Sequence, residues 1–229
     1  MKRGINPSIL DRVFAHQRKD PGMLIAIVGF NGSGKTTQVS ALAERFRSFG
    51  REVIETRQPT DWYRNDGSVI EFQAAGGSRE QARILALFGA ADRLRHIHHI
   101  INPALHRGAV VICERYVYAH FAAFISRGLD FDFVVTINSG IPKPDFAFYL
   151  DVPPSILLER VKQRNRGSLR FEERSLERIS CIIKYYDEMR DHLTRIDGLK
   201  SPNEVASSIF NEIISTCGDA ISSGLAKPR

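Results

Sequence analysis

The chain of 229 residues carries 32 Lys+Arg against 26 Asp+Glu, a formal charge of +6, with 25% charged and 43% apolar residues. That balance excludes a disordered chain, a disulfide scaffold and a collagen-like repeat, and the length suits one large domain or two small ones. Apolar runs such as Met23 to Val28 are far too short for a membrane span, and the scattered Cys113, Cys181 and Cys217 form no CxxC pair, which fits a reducing, cytoplasmic setting.

Residues 1–22 stand apart from the rest of the chain. Ile9, Leu10, Val13 and Phe14 recur at helical spacing after Pro7-Ser8, and Asp20-Pro21-Gly22 closes the segment as a turn. A helical extension packed on the body is expected. It has no apolar stretch of the length a secretory signal needs, and Asp11 argues against a mitochondrial address.

From Met23 onward, strand and helix alternate. Leu24 to Val28 is a continuous apolar run ending in glycine, as in a strand buried on both faces. A helix is expected from Lys35 to Phe49, stopped by Gly50, and a second strand over Glu52 to Glu55. Ser78 caps a long helical stretch that places Ile84, Leu85, Leu87, Phe88, Ala91, Leu94 and Ile97 on an apolar side and ends near Pro103. Ala109 to Cys113 and Phe146 to Leu150 read as buried strands. Helices are expected at Pro154–Arg164 and Phe171–Leu193, then a short strand near Thr194–Ile196 and a last helix after Asn203. Such alternation predicts a three-layer α/β/α fold, a parallel sheet with helices on both faces. No repeat or linker divides residues 23–217, which read as one domain followed by a tail, 218–229.

The sharpest motif is Gly29-Phe30-Asn31-Gly32-Ser33-Gly34-Lys35-Thr36, a complete G-x-x-x-x-G-K-[ST] between a strand and a helix. Its glycines let successive backbone N–H groups curl around a polyphosphate at the positive end of the following helix. Lys35 can reach the β- and γ-phosphates, and the Thr36 hydroxyl can bind Mg²⁺. Glu114, at the carboxyl end of a neighbouring strand, can hold the hydration shell of that ion, and Arg115 enters the same crevice. Arg57 lies just past the second strand, where a doubly wound sheet presents ligands. Arg160, Lys162, Arg164, Arg166 and Arg170 bracket a Gly/Ser break between two helices, as in a mobile lid whose arginines neutralise charge during phosphoryl transfer.

Together these residues resemble the thymidylate kinase family of nucleoside monophosphate kinases. The similarity spans residues 23 to 215. It is carried by the phosphate loop with Thr37-Gln38, Thr56-Arg57-Gln58-Pro59, Ala91-Asp92-Arg93, Glu114-Arg115-Tyr116, and Pro144-Asp145 leading into Tyr149 to Pro154. Arg170, Glu172 and Tyr186 also fall at family positions. The resemblance implies a P-loop NTPase fold with a five-stranded parallel sheet. It implies transfer of the γ-phosphoryl of ATP to dTMP, with Mg²⁺ held at Thr36 and Glu114. By position, the ATP site comprises Gly29 to Thr36 with Thr37; Arg57 grips the acceptor phosphate, Arg115 bridges donor and acceptor, and Arg93 faces the acceptor base. The phosphate loop has no arginine of its own, so Arg164, Arg166 or Arg170 of a lid at about residues 160–172 would supply the catalytic one. The family also commonly forms dimers.

Departures from the family cluster around the acceptor. Its phosphate-loop acid is Asn31 here, the glutamate after the acceptor-phosphate arginine is Gln58, and the aspartate before Arg115 is the longer Glu114. The aromatic ring that stacks on thymine falls on Gly89, with Phe88 one place off. The Ser, Tyr and Gln of the base pocket become Ala119, Ala123 and Phe124. Phe88 and Phe124 join Arg57, Arg93 and Glu114 as acceptor-site candidates. Trp62 and Tyr63 either cover the acceptor or roof the core. His96, His98, His99 and His106 have no carboxylate or thiolate to complete a metal set and read as one amphipathic helix.

Two functions compete. One is phosphoryl transfer, to dTMP or to another nucleotide or phosphorylated metabolite. The other is a nucleotide-binding regulatory module with little turnover, suggested by the neutral Asn31 and Gln58. The small charge excess, without interleaved aromatic and basic residues, argues against a nucleic-acid partner.

Overall fold

The computed structural model describes residues 10–15, 20–165 and 168–217. Five strands, β1 (Met23–Val28), β2 (Val53–Arg57), β3 (Val110–Glu114), β4 (Phe146–Asp151) and β5 (Thr194–Asp197), pair in the order β2-β3-β1-β4-β5. Every pairing is parallel. The register sets Ile27 of β1 and Arg57 of β2 on either side of Glu114 in β3, so the carboxyl ends of three strands open at one level.

Alternation along β1 explains the layering. Leu24, Ala26 and Val28 face a core shared with the helices Arg79–His96, Tyr116–Ser126 and Leu176–Glu188. Ile25 and Ile27 face the other way, onto Leu42 and Phe46 of the helix Lys35–Ser48 and Ile209 and Phe210 of the helix Pro202–Cys217. Successive strand side chains point to opposite faces, and both faces are covered, so the run has no polar position to offer. Removing one such fully buried side chain, as in Leu42→Ala, costs about 2–5 kcal/mol. The expected three-layer architecture is present.

Several elements differ from expectation. In the described part of the N-terminal extension, Leu10 is helical and a 3-10 turn follows at Asp11–Val13. Phe14 is extended and bridges Ile141, and the Ala15 N–H donates to Ile141 O at 2.8 Å, so the backbone pairs outward instead of coiling on. Leu10 and Val13 are fully buried, which anchors the segment to the body. Residues 1–9 and 16–19 and the tail 218–229 lie outside the described residues.

The helix begun by Ser78 has the reciprocal cap its sequence predicts, with Gln81 N donating to Ser78 Oγ (3.2 Å) and Ser78 N to Gln81 Oε1 (2.7 Å). It ends as an α-helix at His96, widens to a π turn over Ile97–Ile101, and resumes over Asn102–His106. The widened turn immediately precedes Pro103, which lacks an N–H to donate to the preceding turn. Its apolar side is also split: Leu85 and Ile97 are buried, whereas Ile84, Leu87 and Leu94 are 63%, 47% and 47% exposed. The expected helix Phe171–Leu193 is likewise broken into a 3-10 turn, Phe171–Glu173, and the helix Leu176–Glu188, because Ser175 caps a new start through Arg178 N.

Candidate functional site

The phosphate loop leaves β1 in a conformation that its glycines permit. Gly29 has φ 144°, and a Cβ there would lie 2.7 Å from Ser33 Oγ. Gly34, at φ 95°, turns the chain into the helix Lys35–Ser48. No other residue type takes both positions without strain. Lys35, 4% exposed, donates to Phe30 O at 2.6 Å and lies 3.5 Å from Ser33 Oγ. Burial, with Arg115 close by, drives its ammonium well below the ordinary lysine range. Thr36 and Thr37 are exposed at the loop's mouth.

Across from the loop, Thr36 Oγ1 donates to Glu114 Oε2 at 2.9 Å. Burial opposes ionisation of Glu114, but Lys35 and Arg115 hold its carboxyl below the usual range, so it is an anion in this setting. Arg115 follows at φ 82° and Tyr116 at φ 52°, two consecutive non-glycine residues in the left-handed region. Such strain persists where the surroundings impose it, here at a residue aimed into a site. Arg115 N donates to Ile27 O at 2.8 Å, and its guanidinium donates to Asn31 Oδ1. The Asn31 amide in turn donates to Glu173 Oε1 at 2.6 Å, and Glu173 Oε2 accepts from Arg170 N at 3.0 Å. The phosphate loop, β3 and the turn Phe171–Glu173 are thereby tied together.

Behind this polar rim opens a cleft lined by Phe30, Asn31, Arg93, Arg115, Phe124 and Arg170 among others. Arg93 is 2% exposed and held by Gln58 Oε1 (3.2 Å), Gly89 O (3.4 Å) and Asn138 Oδ1; burial pushes its guanidinium down to about 10. Gln58, fully buried, also reaches His96 Nδ1 at 3.0 Å, while His96 Nε2 meets Thr56 Oγ1 at 2.6 Å. An amide serves both partners; a carboxylate could not donate to the imidazole.

The structure brings most candidates together and leaves two aside. Phe88 does not line the cleft: its ring packs against Trp62 (5.0 Å) and Tyr63 (5.1 Å), because its place on the helix turns it away while Gly89 faces inward. Tyr63, 6% exposed, forms cleft wall, and Trp62, 49% exposed, lies outside it. Arg57 also stays out of the wall, paired with Asp61 at 2.5 Å on a half-exposed side chain. The wall position belongs to Arg64, which the sequence did not single out. Its Nε donates to Pro59 O at 2.5 Å, and burial, then Arg115 and Arg57, push it down to about 10. The available signal was Thr60-Asp61, a cap that starts the short helix Asp61–Arg64; Asp92 holds that cap through Thr60 N at 2.7 Å.

Arg160 sits on the helix Pro154–Asn165 and donates to Gly32 O at 3.3 Å, so this helix touches the phosphate loop. Arg164 is exposed and close enough to Lys35 and Arg170 to lower both. Arg166 lies outside the described residues. Arg127, also unanticipated, donates to Glu172 Oε1 at 2.9 Å and stacks on Phe72 (3.8 Å), fastening the turn Phe171–Glu173 to the cleft wall.

A model of the family described as thymidylate kinase matches residues 27–209. A probable thymidylate kinase of Pyrococcus horikoshii is 37% identical over 194 residues, covering 82% of this chain and 94% of the relative. One from Thermococcus gammatolerans is 33% identical over 213 residues, 89% and 100% of the two chains. A thymidylate kinase of Xylella fastidiosa (strain M12) is 36% identical over 156 residues, 66% of this chain and 68% of its own.

Proposed function

The chain belongs to the thymidylate kinase family, and on that footing we propose that its cleft transfers the γ-phosphoryl group of ATP to the 5′-phosphate of dTMP, giving ADP and dTDP. The observation that carries this is the meeting of Lys35, Arg115 and Arg64 at the junction of a phosphate loop and a largely apolar cleft. Donor phosphates belong on the loop, and an acceptor base belongs in the cleft. The transferred group lies between them.

In the transfer, an oxygen of the dTMP phosphate bonds to the γ-phosphorus as the bond to the β–γ bridging oxygen breaks. Backbone N–H groups of Gly29 to Thr37 and the Lys35 ammonium hold the donor. Arg115, anchored by Asn31, spans donor and acceptor. Arg64, with Arg57 at the rim, holds the acceptor phosphate, and Arg164, Arg166 and Arg170 of the lid, residues 160–172, neutralise charge on closure. Preorganised cations aimed at developing charge supply most of the catalysis in such reactions. The hydroxyl of Thr36 and the carboxylate of Glu114, 2.9 Å apart, are hard oxygen donors that suit Mg²⁺. When bound there with ATP, Mg²⁺ neutralises charge on the β- and γ-phosphates.

Asn31 and Gln58, neutral where related kinases carry acids, have partners that amides serve, namely Glu173 with Arg115 and His96 with Arg93. They do not favour a module without turnover. Residues 23–217 act as the kinase domain, and its partners are nucleotides rather than nucleic acid. Among the described residues no helix is long and apolar enough to cross a membrane; a cytoplasmic enzyme fits this. Ile84, Leu87 and Leu94 form an exposed apolar stripe on the helix Arg79–His96, which suits a homodimer contact. Coupled detection of ADP release with dTMP as acceptor tests the activity directly.

A further inference from the structure

At the apolar end of the cleft, beside Arg93, the residues Gly89, Ala119, Ala123 and Phe124 offer neither a stacking ring at position 89 nor a hydrogen-bonding amide. A further polar side chain stands among them. His120, on the helix Tyr116–Ser126, lines the cleft and is 7% exposed, its ring tilted against Phe124 at 4.6 Å. A Cβ on Gly89 would lie 3.0 Å from His120 Cε1 and 3.1 Å from Nδ1, so the imidazole occupies room that a larger residue at 89 would need. The ring beside position 89 is thus supplied by the helix Tyr116–Ser126.

Its Nε2 is buried and has no hydrogen-bond partner among the described residues. Native proteins keep few such atoms, and this one belongs to a ring that lines the cleft. Burial, with Arg93 nearby, keeps the imidazole neutral at physiological pH. A neutral imidazole has one N–H donor and one lone pair. The thymine edge offers carbonyl oxygens and an imide N–H, a match for either.

We propose that His120 is the specificity-determining residue of the acceptor site, its Nε2 hydrogen-bonding the pyrimidine edge of the base while its ring fills the space left at Gly89. This rests on the assignment of the cleft to dTMP. A site built around a hydrogen bond rejects ligands that leave it unmade, so the contact governs acceptor choice and not the chemical step.

Calorimetric titration of the whole protein with dTMP, dCMP and ATP tests it, using His120→Phe, which keeps a ring but no polar edge, and His120→Gln, which puts a hydrogen-bonding amide in place of the imidazole. The Phe variant is expected to bind dTMP roughly ten- to a hundredfold more weakly, with ATP affinity within about twofold of wild type. Its preference for dTMP over dCMP should narrow by about tenfold or more, and His120→Gln should recover part of both. Unchanged dTMP affinity in His120→Phe would overturn the proposal. So would parallel loss of dTMP and ATP affinity in both variants, the mark of a purely structural residue. Wild type that binds dTMP without phosphorylating it would defeat the kinase assignment and leave His120 to be judged on binding; wild type that binds no dTMP would defeat both.

Discussion

The carboxylate of Glu173, fully buried beyond the lid, accepts a hydrogen bond of 2.6 Å from the amide of Asn31 in the phosphate loop. Asn31 uses its other atom to accept from Arg115, so one side chain joins the lid exit to the arginine expected to span donor and acceptor. Aspartate could accept from Arg115 but would set a second carboxylate against Glu173. The asparagine and the buried glutamate therefore belong together.

Asn31→Asp is accordingly expected to destabilise the fold by about 1–3 kcal/mol, and adding Glu173→Gln to restore most of it. Thermal unfolding of the two single variants and the double variant measures this. Additive losses would show that the pair is not coupled.

Arg64 lines the cleft, whereas Arg57 is spent partly on Asp61. Arg64→Ala should raise the KM for dTMP by about tenfold or more with little change in the KM for ATP, and Arg57→Ala should raise it less. Steady-state kinetics in both substrates decide the order. An Arg64→Ala enzyme with unchanged dTMP KM would remove Arg64 from the acceptor site.

His96 bridges Thr56 and Gln58 as a neutral ring, and burial, against the pull of Asp92, pushes its pKa down to about 4 from the ordinary 6.5. The unfolded chain thus binds the extra proton first. Stability from this group is complete above pH 6.5 and is lost as pH falls toward 4. The melting temperature of His96→Gln should fall less over that window than that of wild type, by about a few degrees. Identical slopes would contradict the assignment.

The exposed stripe of Ile84, Leu87 and Leu94 predicts that Leu87→Lys shifts the protein from dimer to monomer in sedimentation equilibrium, without loss of fold. A wild-type monomer at all concentrations would refute the contact.

Much of the fold was legible along the chain. β1, β3 and β4 were readable as short apolar runs with glycine or charge at their ends, and the phosphate loop announced itself by spacing, because both are local. The break at Ser175 carried a visible cap that helical periodicity on either side outweighed. Arg64 was not legible, since its direction depends on Asp92 holding Thr60 from another element. Phe88 misled for the opposite reason: adjacent to Gly89 in sequence, it points to the other side of the helix and packs on Trp62 and Tyr63. The meeting of Gly89 and His120, and of Asn31 and Glu173, is tertiary and has no periodic trace.

The most direct measurement is ADP release in a coupled assay with ATP, Mg²⁺ and a panel of nucleoside monophosphates, run on wild type and Lys35→Ala. dTMP should be the best acceptor by kcat/KM, and Lys35→Ala should lower the rate by about two orders of magnitude or more while remaining folded. No dTMP-dependent ADP release above background by the wild-type protein would contradict the account.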